Sequence, residues 1–525
     1  MAHKPTYEQA AVYDGFSSLS PGDNASVLAA AGAGKTTTLQ GIAKNTRERG
    51  MLLCFNKSNA ADARRKLRLT MCEASTLHKL AYVTMAQKFR WGFETQDTKY
   101  TYILNNGLIS KGTMPDIKGM NDMRFANLAI KALVKYCESD SLKFTDEFSR
   151  AAIVESYGDP NFLVPGKKKE AAQEALEALT KPVWELGRKT FGHANENGTR
   201  FLDMYVKALH RDPSARAEAF RRMKYLMLDE AQDSNRVTMA IFQGSGLKTI
   251  MVGDPYQQLY SWRGAVNAFD HVSGPEFHLS QSFRFGDNIA EIARHILNCH
   301  PSGPPARELV GLGRPIDLRT YEGTKIAAVC RTNAGVIEEA LKFMKAGKTV
   351  QVEDIESLIL ELKSAEALSC GEPNKVRTET FKAFDDWEEA KQVAEEGDPT
   401  VRRIVKIIED NDAKKIYELA DRQKQDANEG RTADAICMTA HRSKGGEWPI
   451  AFLGGDWPTI PEMMQRWNTA KNGSASEEQA ALEDFNGLYV AATRGQTACV
   501  RHERILFPEV EKEPLPEPDP EPAPM

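Results

Sequence analysis

The sequence predicts an α/β protein with two parallel sheets, each interrupted by a mainly helical insertion. Short apolar runs followed by helix-like stretches recur in two separated regions. The early runs are SVLAAAGAGKTTTLQGIA, YLMLDEAQD and KTIMVGDPY, and the late runs are KIAAVCRTNAGVIEEALKFM, DAICMTAHRSKG and PIAFLGGD. Residues between and after them are rich in Ala, Glu, Lys and Asp, with apolar residues at helical spacing. Alternating strands and helices favour parallel sheets.

The predicted domain boundaries follow these changes in composition and in the spacing of apolar residues. The predicted parts are a first α/β domain (1–85 and 201–285), a helical insertion (86–200), a second α/β domain (286–352 and 431–507), a small helical insertion (353–430) and a tail (508–525). The tail alternates Pro with acids, so we expect it to be extended and disordered, and it could contact a protein partner. Alternatively, both insertions are outer helices of one large domain.

Composition limits the class of protein. The 525 residues include 68 Lys and Arg against 73 Asp and Glu, a net charge of −5, so a nucleic-acid site must be a local groove. No apolar run approaches the roughly 18 to 20 residues of a membrane span, and we expect a cytoplasmic protein, nucleoid-associated if bacterial or phage, with no membrane contact. Eight Cys without a CxxC pair indicate neither a zinc ribbon nor an iron–sulfur cluster.

The run AAAGAGKTTT, residues 29–38, follows an apolar strand and predicts a phosphate-binding loop for ATP. Glycine lets backbone N–H groups turn toward phosphate oxygens, and the next helix adds its N-terminal dipole. Lys35 would reach the β and γ phosphates, and Thr36 would hold Mg²⁺. The ATP-binding residues predicted from this loop are Ala31, Gly32, Ala33, Gly34, Lys35, Thr36 and Thr37.

Two carboxylates end a second apolar strand, in YLMLDEAQD. Phosphoryl transfer needs a metal ion and a residue that positions the attacking water. Asp229 suits the Mg²⁺ shell, and Glu230 suits activation of the water.

Six motifs in fixed order closely resemble those of superfamily 1 DNA helicases of the UvrD/Rep/PcrA group. They are AAAGAGKT, DEAQD, VGDPYQQLYSWRGA (252–265), LSQSFR (279–284), TAHRSKGGEW (439–448) and LYVAATR (488–494). The runs FNKSNAADARRKL, STLHKLAY and FNGLYVAATR look most like the F-box DNA helicase branch and its phage and bacterial relatives. The match spans residues 9–494.

The resemblance implies two RecA-like domains with ATP between them, and movement 3′ to 5′ along single-stranded DNA. It implies DNA partners that include junctions of single-stranded and duplex DNA. By position, Gln9 would read the adenine, Phe283 would stack on it and Glu447 would approach the ribose. Gln257 would sense the γ-phosphate, and Arg284 and Arg494 would be arginine fingers; these three join Lys35 and Glu230 as the predicted catalytic residues.

The resemblance also implies a single-strand DNA site built from aromatic and polar side chains. Its predicted members are Phe55, Asn56, Thr76, His78, Tyr260, Trp262, Arg263, Thr439 and His441. Stacking of a base on an aromatic side chain is worth roughly 1 to 3 kcal/mol, comparable to the cost of opening a base-pair step. As alternatives, Tyr260 and Trp262 are core aromatics, and the two His are structural.

Two alternative functions stay open from the sequence. The same motifs would serve a translocase that strips proteins from DNA or acts in a defence complex without unwinding. A nucleic-acid-binding regulator with an inactive ATPase is the alternative from another class, which the set of predicted catalytic residues opposes. Gly446 and Gly495 stand where the family usually has Leu and Ala, so we expect looser packing at both positions.

Overall fold

The computed structural model describes most of the chain and divides it into two compact units. The described residues are 4–89, 122–157, 180, 202–260, 267–382, 384, 386–395, 399–410, 413–471 and 475–501. Unit 1 comprises residues 1–283 and 358–412, and unit 2 comprises residues 284–357 and 413–525. The predicted tail and much of the predicted insertion at 86–200 lie outside the described residues, and the proposed domain boundaries stay predictions.

A six-stranded parallel sheet forms the centre of unit 1. Its strands are β1 (Asn24–Ala29), β2 (Gly50–Leu53), β3 (Cys72–Ser75), β4 (Tyr225–Asp229), β5 (Lys248–Gly253) and β6 (Glu276–Leu279). They are ordered β3-β2-β4-β5-β1-β6, with Leu28 opposite Gly253 and Asp229 opposite Val252. The carboxyl ends of β1, β4 and β5 therefore lie side by side, the edge where open parallel sheets bind ligands.

Helices cover both faces of this sheet. They are α1 (Tyr7–Ser18), α2 (Lys35–Asn45), α3 (Lys57–Leu67), α4 (Leu77–Phe89), α5 (Asp122–Glu138), α6 (Asp146–Tyr157), α7 (Leu202–Arg211), α8 (Pro213–Phe220) and α9 (Arg236–Gln243). One buried cluster contains Leu39 of α2 and Val27 of β1; another contains Phe242 of α9 and Leu228 of β4. Every residue of β4 is buried, as expected for a strand covered on both faces.

A second parallel sheet, of five strands, lies in unit 2. After two-residue strands β7 (Gln281–Ser282) and β8 (Val310–Gly311), its strands are β9 (Ile326–Cys330), β10 (Val350–Val352), β11 (Ala435–Thr439), β12 (Trp448–Leu453) and β13 (Gly495–Arg501). Their order is β10-β11-β9-β12-β13. The two parallel sheets confirm the predicted fold class of two RecA-like α/β domains.

The remaining helices belong to unit 2 and to residues 358–412, which are part of unit 1. They are α10 (Asp287–Asn298), α11 (Asn333–Lys345), α12 (Ile355–Ser369), α13 (Glu379–Lys382), α14 (Trp387–Glu395), α15 (Pro399–Glu409), α16 (Ala413–Asn428), α17 (Ala440–Ser443), α18 (Ile460–Ala470) and α19 (Ala475–Ala492). Between β10 and β11 every described element is helical, as predicted. No helix among the described residues is long and apolar enough to cross a bilayer. All eight Cys are unbonded thiols, and Cys370, just after α12, is exposed.

Candidate functional site

The predicted phosphate loop joins the end of β1 to the start of α2. Gly32 and Gly34 have φ angles of 72° and 79°, in the left-handed region that favours glycine. Gly34 immediately precedes α2, and its carbonyl oxygen accepts the backbone N–H of Thr38 at 2.9 Å. Lys35 and Thr36 thus stand in the first turn of α2, where backbone N–H groups and the helix dipole favour a phosphate.

Gln9 and Phe283, the predicted adenine-contacting residues, lie beside this loop. A methyl group on Gly34 would come within 3.4 Å of Gln9 Nε2 and 3.9 Å of Phe283 Cδ2. Gln9 Nε2 donates to Thr38 Oγ1 at 3.3 Å, and the Phe283 backbone N–H donates to the Gly32 carbonyl at 2.9 Å. Phe283 is 40% exposed, so its ring offers an accessible aromatic face.

The two carboxylates at the end of β4 have different surroundings. Asp229 is buried, and burial, together with the neighbouring Glu230 carboxylate, raises the pKa of Asp229 to about 7. Glu230 has a φ of 53°, and its backbone N–H donates to Asp229 Oδ1 at 3.0 Å. The Nζ atom of Lys35 lies 3.4 Å from Glu230 Oε2. The structure therefore brings Lys35 to a pair of carboxylates that follow it by almost 200 positions in the sequence.

A series of hydrogen bonds continues from Glu230 to Gln257. Gln232 Nε2 donates to Glu230 Oε2 at 2.6 Å, and the Asp254 backbone N–H donates to Gln232 Oε1 at 3.0 Å. Gln257 Nε2 then donates to Asp254 Oδ2 at 2.7 Å. Gln232 is fully buried, and a methyl group on Gly253 would come within 2.2 Å of its Oε1 atom. We call Gln232, Asp254 and Gln257 the amide relay.

The residues around Asp229 fit a magnesium ion. Burial and the Glu230 carboxylate both disfavour the charged form of Asp229 and raise its pKa, and a bound cation would offset that cost. Among the described residues, no group of three or more His, Cys, Asp or Glu is placed to hold a metal ion. In nucleotide sites Mg²⁺ is held by few protein ligands, and phosphates and water complete its coordination. The protein ligands that fit are Thr36 and Asp229.

Unit 2 brings together Arg284, Glu447 and Arg494. Arg284 Nη2 lies 2.8 Å from Glu447 Oε1, and its Nη1 donates to the Thr493 carbonyl at 3.0 Å. The Arg494 side chain is 1% exposed; its Nε donates to the Val490 carbonyl at 3.0 Å and its Nη1 to the Gly446 carbonyl at 3.3 Å. Contact of either guanidinium with ATP therefore requires these hydrogen bonds to be exchanged.

Our expectation of looser packing at the two unusual glycines is wrong. A methyl group on Gly446 would come within 2.2 Å of the Trp448 ring, and one on Gly495 within 2.4 Å of the Ala498 carbonyl oxygen. Both positions are closely approached by a neighbouring group: a larger side chain at residue 446 would displace the Trp448 ring, and one at residue 495 would meet backbone.

The aromatic candidates for DNA contact meet at the carboxyl edge of the first sheet. Phe55 and Tyr260 are stacked, with ring centroids 5.3 Å apart and an interplanar angle of 29°. Both rings are partly exposed. Trp262 and Arg263 lie outside the described residues. The stacked pair gives unit 1 an aromatic platform of the type that binds unpaired bases.

The polar candidates begin helices. Asn56 Oδ1 accepts the Asn59 backbone N–H at 2.7 Å at the start of α3. Thr76 Oγ1 accepts the Lys79 backbone N–H at 3.2 Å at the start of α4. Thr439 Oγ1 accepts the Arg442 backbone N–H at 3.4 Å at the start of α17. Each is an N-cap, which is a structural role that the motif wording does not reveal.

The two histidines differ in surroundings. His78 Nε2 lies 3.1 Å from Asp203 Oδ1, so this ring connects α4 to α7. His441 is half-buried within α17. Neither geometry requires proton transfer.

Sequence reasoning missed polar groups at the carboxyl edge of the second sheet. The backbone N–H groups of Arg331 and Thr332, just after β9, donate to the Asp456 carboxylate at 3.0 and 2.7 Å. Arg331 also pairs with Asp484 of α19. The sequence contained a signal for this edge. The run CRTN, residues 330–333, joins the end of an apolar strand to the start of a helix, as AGKT does in the first domain.

Known proteins are similar in sequence to this chain over most of its length. A family model described as the UvrD/REP helicase N-terminal domain matches residues 16–270. F-box DNA helicase 1 of Gallus gallus is 25% identical over 513 residues, covering 94% of this chain and 48% of the relative. F-box DNA helicase protein 1 of Schizosaccharomyces pombe is 22% identical over 524 residues, with coverages of 93% and 56%.

A shorter match reaches the bacterial branch. A probable DNA helicase II homolog of Mycoplasma genitalium is 29% identical over 115 residues, 19% of this chain and 16% of the relative. The chain spans about half the length of the F-box relatives it matches. In its ordered motifs and in these comparisons, the chain is similar to the UvrD/Rep-like superfamily 1 helicases, and in particular to the F-box DNA helicases.

Proposed function

We propose that this protein is an ATP-dependent DNA helicase that moves 3′ to 5′ on single-stranded DNA and unwinds duplex at junctions, in repair, recombination or replication. The observation that carries the proposal is the contact of Lys35 with Glu230 beside the phosphate loop, continued by the amide relay. We place its action in the cytoplasm, at the nucleoid if the source is bacterial or phage.

The chemistry proposed for unit 1 is ATP hydrolysis. Lys35 would bind the β and γ phosphates in place of its contact with Glu230, which leaves the Glu230 carboxylate to accept a proton from the attacking water. Thr36 and Asp229 would hold Mg²⁺, which would neutralise charge on the phosphates. Gln9 and Phe283 would hold the adenine, with Glu447 near the ribose.

The amide relay supports a link between hydrolysis and DNA. Gln257 lies three residues before Tyr260, whose ring stacks on Phe55. A shift of Gln257 toward a γ-phosphate would act through the same short segment on the aromatic platform. Coupling of this kind needs an element with two arrangements that ATP and DNA both bias. Arg284 and Arg494 would supply positive charge to the transferred phosphoryl group.

The test of the ATPase compares wild-type protein with Lys35→Ala and Arg284→Ala, each with and without single-stranded DNA at stated salt. We expect DNA to stimulate the wild type, Lys35→Ala to be inactive, and Arg284→Ala to lose on the order of 10³-fold or more in rate. Lys44→Ala, an exposed lysine of the same helix, and Arg319→Ala, an exposed arginine of unit 2, are matched controls. DNA-stimulated turnover by Lys35→Ala would remove the site assignment.

Unwinding and direction need their own substrates. Duplexes with a 3′ or a 5′ single-stranded tail report polarity, and the proposal expects unwinding from the 3′ tail. ATP hydrolysis with displacement of a DNA-bound protein but no strand separation would instead establish the translocase. Absence of hydrolysis with every DNA tested would favour a regulator that binds nucleic acid.

A further inference from the structure

The amino ends of three adjacent strands form a second polar edge of unit 1. The backbone N–H of Gly50, at the start of β2, donates to the Met71 carbonyl before β3 at 3.3 Å. The backbone N–H of Lys224, before β4, donates to the Arg49 carbonyl at 2.7 Å. The segments that lead into β3, β2 and β4 are therefore side by side, across a width of about 10 Å at the usual strand spacing.

These three segments carry a high density of positive charge. Ten exposed Lys and Arg side chains belong to them and define the basic edge: Lys44, Arg47, Arg49, Arg64, Arg65, Lys66, Arg68, Arg221, Arg222 and Lys224. The nearby carboxylates are four: Glu48, Asp62, Glu73 and Glu218. Since the whole chain has a net charge of −5, this positive field is local to one face.

The carboxylates neutralise only part of the basic edge. Glu48 pairs with Lys248 at 2.7 Å, and Lys248 is not one of the ten residues of the basic edge. Asp62 contacts Arg65 at 3.1 Å and Lys66 at 2.6 Å. Such exposed ion pairs are weak, so a denser set of anions can replace them.

The basic edge is separate from the residues proposed for ATP and single-stranded DNA. Those residues follow the carboxyl ends of the strands, whereas the basic edge precedes the amino ends. Strand β4 runs five residues from Tyr225 to Asp229, so the two edges are on the order of 15 Å apart. Neither the proposed hydrolysis nor the aromatic platform uses any of the ten side chains.

We propose that the basic edge binds the phosphate backbone of duplex DNA. Seven of the ten side chains are arginines, and their forked guanidinium donors match the geometry of phosphate oxygens. The three segments, residues 44–50, 64–72 and 221–225, expose no aromatic ring on which an unpaired base could stack, since Tyr225 is fully buried, and this favours the continuous charge of a duplex backbone. The choice of DNA as the polyanion rests on the proposed function.

An acidic protein segment is the rival occupant. Leu69 and Met71 are exposed within the same edge, at 89% and 52%, and an acidic peptide with apolar side chains would use them. Duplex phosphates would need only the charges. The two occupants are therefore separable by experiment.

The experiment removes one arginine from each of the three segments, in the variant Arg47→Ala/Arg68→Ala/Arg222→Ala. Binding of a blunt-ended duplex is measured over a range of salt concentrations, with excess unlabelled oligo-dT to occupy the single-strand site. We expect affinity to fall on the order of tenfold and the slope of log K against log salt to decrease by roughly 2 to 3, since three phosphate contacts are lost. The triple lysine replacement at the same positions should restore binding.

The matched control removes three exposed charges of unit 2, in Arg319→Ala/Lys345→Ala/Lys424→Ala. Equal duplex affinities for the two triple variants would overturn the proposal. It would also be overturned if a polyglutamate peptide displaces the labelled duplex at a lower concentration than unlabelled duplex does. DNA-stimulated ATP hydrolysis with oligo-dT should be the same in both variants. If the wild-type protein does not hydrolyse ATP, the proposed function is contradicted. The comparison of duplex binding between the two triple variants still tests the basic edge in that case.

Discussion

The Glu230 carboxylate is contacted by a cation and by an amide, from Lys35 and Gln232. Lys35 and Glu230 could be predicted, because each lies in a motif at the end of an apolar run. Gln232 and Asp254 could not be given their roles in the same way. Their hydrogen bond depends on β4 and β5 being neighbours in the sheet, and linear spacing does not contain that pairing.

The amide relay predicts a kinetic defect without loss of nucleotide binding. Gln232→Ala should lower kcat for DNA-stimulated ATP hydrolysis on the order of 10²-fold with little change in the KM for ATP, because the attacking water loses its positioned base. Steady-state kinetics measure kcat and the KM for ATP separately. Gln40→Ala, an amide of α2 outside the relay, should match the wild type. A rise in KM with unchanged kcat would contradict the positioning role.

Asp229 predicts a pH-dependent stability. The pKa of its carboxyl is raised in the folded state, so the folded protein holds a proton that the unfolded chain has released, and stability falls as pH rises from about 4 to about 7. Without Mg²⁺, Asp229→Asn should stabilise the protein more at pH 8 than at pH 5, by on the order of a few kcal/mol. Urea unfolding at both pH values measures this.

Asp62→Asn is the control of opposite sign. Hydrogen bonds from Lys66 and Arg65 lower the pKa of Asp62, so its ionised form contributes any stability above the unfolded pKa. That substitution should bring no gain as pH rises. A gain at pH 8 shared by both variants would show that the Asp229 carboxyl is not the cause.

At the scale of secondary-structure elements, the motif residues lie where a parallel strand ends and the next helix begins. Gly34, Asn56, Thr76 and Thr439 all stand at such starts. The strands before Gly34 and Thr439 are predicted from their apolar runs, whereas β2 and β3, which precede Asn56 and Thr76, are not among the predicted strands. The sequence could not reveal that the three polar residues cap helices, because capping depends on the φ and ψ angles at the strand end. Their contribution to stability therefore accompanies any contribution to DNA binding.

Thr76 separates these two contributions. Thr76→Val should cost about 1 kcal/mol of unfolding free energy through the lost cap and also weaken single-stranded DNA binding. Thr76→Ser should keep both properties. The comparison is Thr459→Val, which removes the cap of α18 in unit 2 at similar cost and should leave DNA affinity unchanged. Equal DNA affinities for the two Val variants would assign Thr76 to capping alone.

At the scale of the whole molecule, the division into two units was predicted from two separated strand-helix regions. The interpretation of Arg494 needed the structure, because composition cannot show that its guanidinium is buried among backbone carbonyls. The basic edge was equally hidden. Its charges come from three distant stretches of sequence that only the strand order brings together.

The two-unit division predicts selective stabilisation by nucleotide. MgATP should raise the unfolding temperature of the transition that belongs to unit 1, by an amount equivalent to about 2.7 kcal/mol at a hundredfold excess over Kd. Differential scanning calorimetry measures the shift in unfolding temperature. A non-hydrolysable ATP analogue with Mg²⁺ is used so that the nucleotide is not consumed during the scan. Lys35→Ala should lose the shift and Lys345→Ala should keep it. An equal shift in both variants would place the nucleotide elsewhere.

The cysteine pattern makes the natural chain suitable for fluorescent labelling. Burial raises the pKa of the Cys54, Cys437 and Cys499 thiols to about 12, so these side chains offer almost no thiolate at neutral pH. Cys370 is exposed at the end of α12. A maleimide dye should therefore attach first at Cys370, which gives a reporter for watching individual molecules on DNA without first replacing any cysteine.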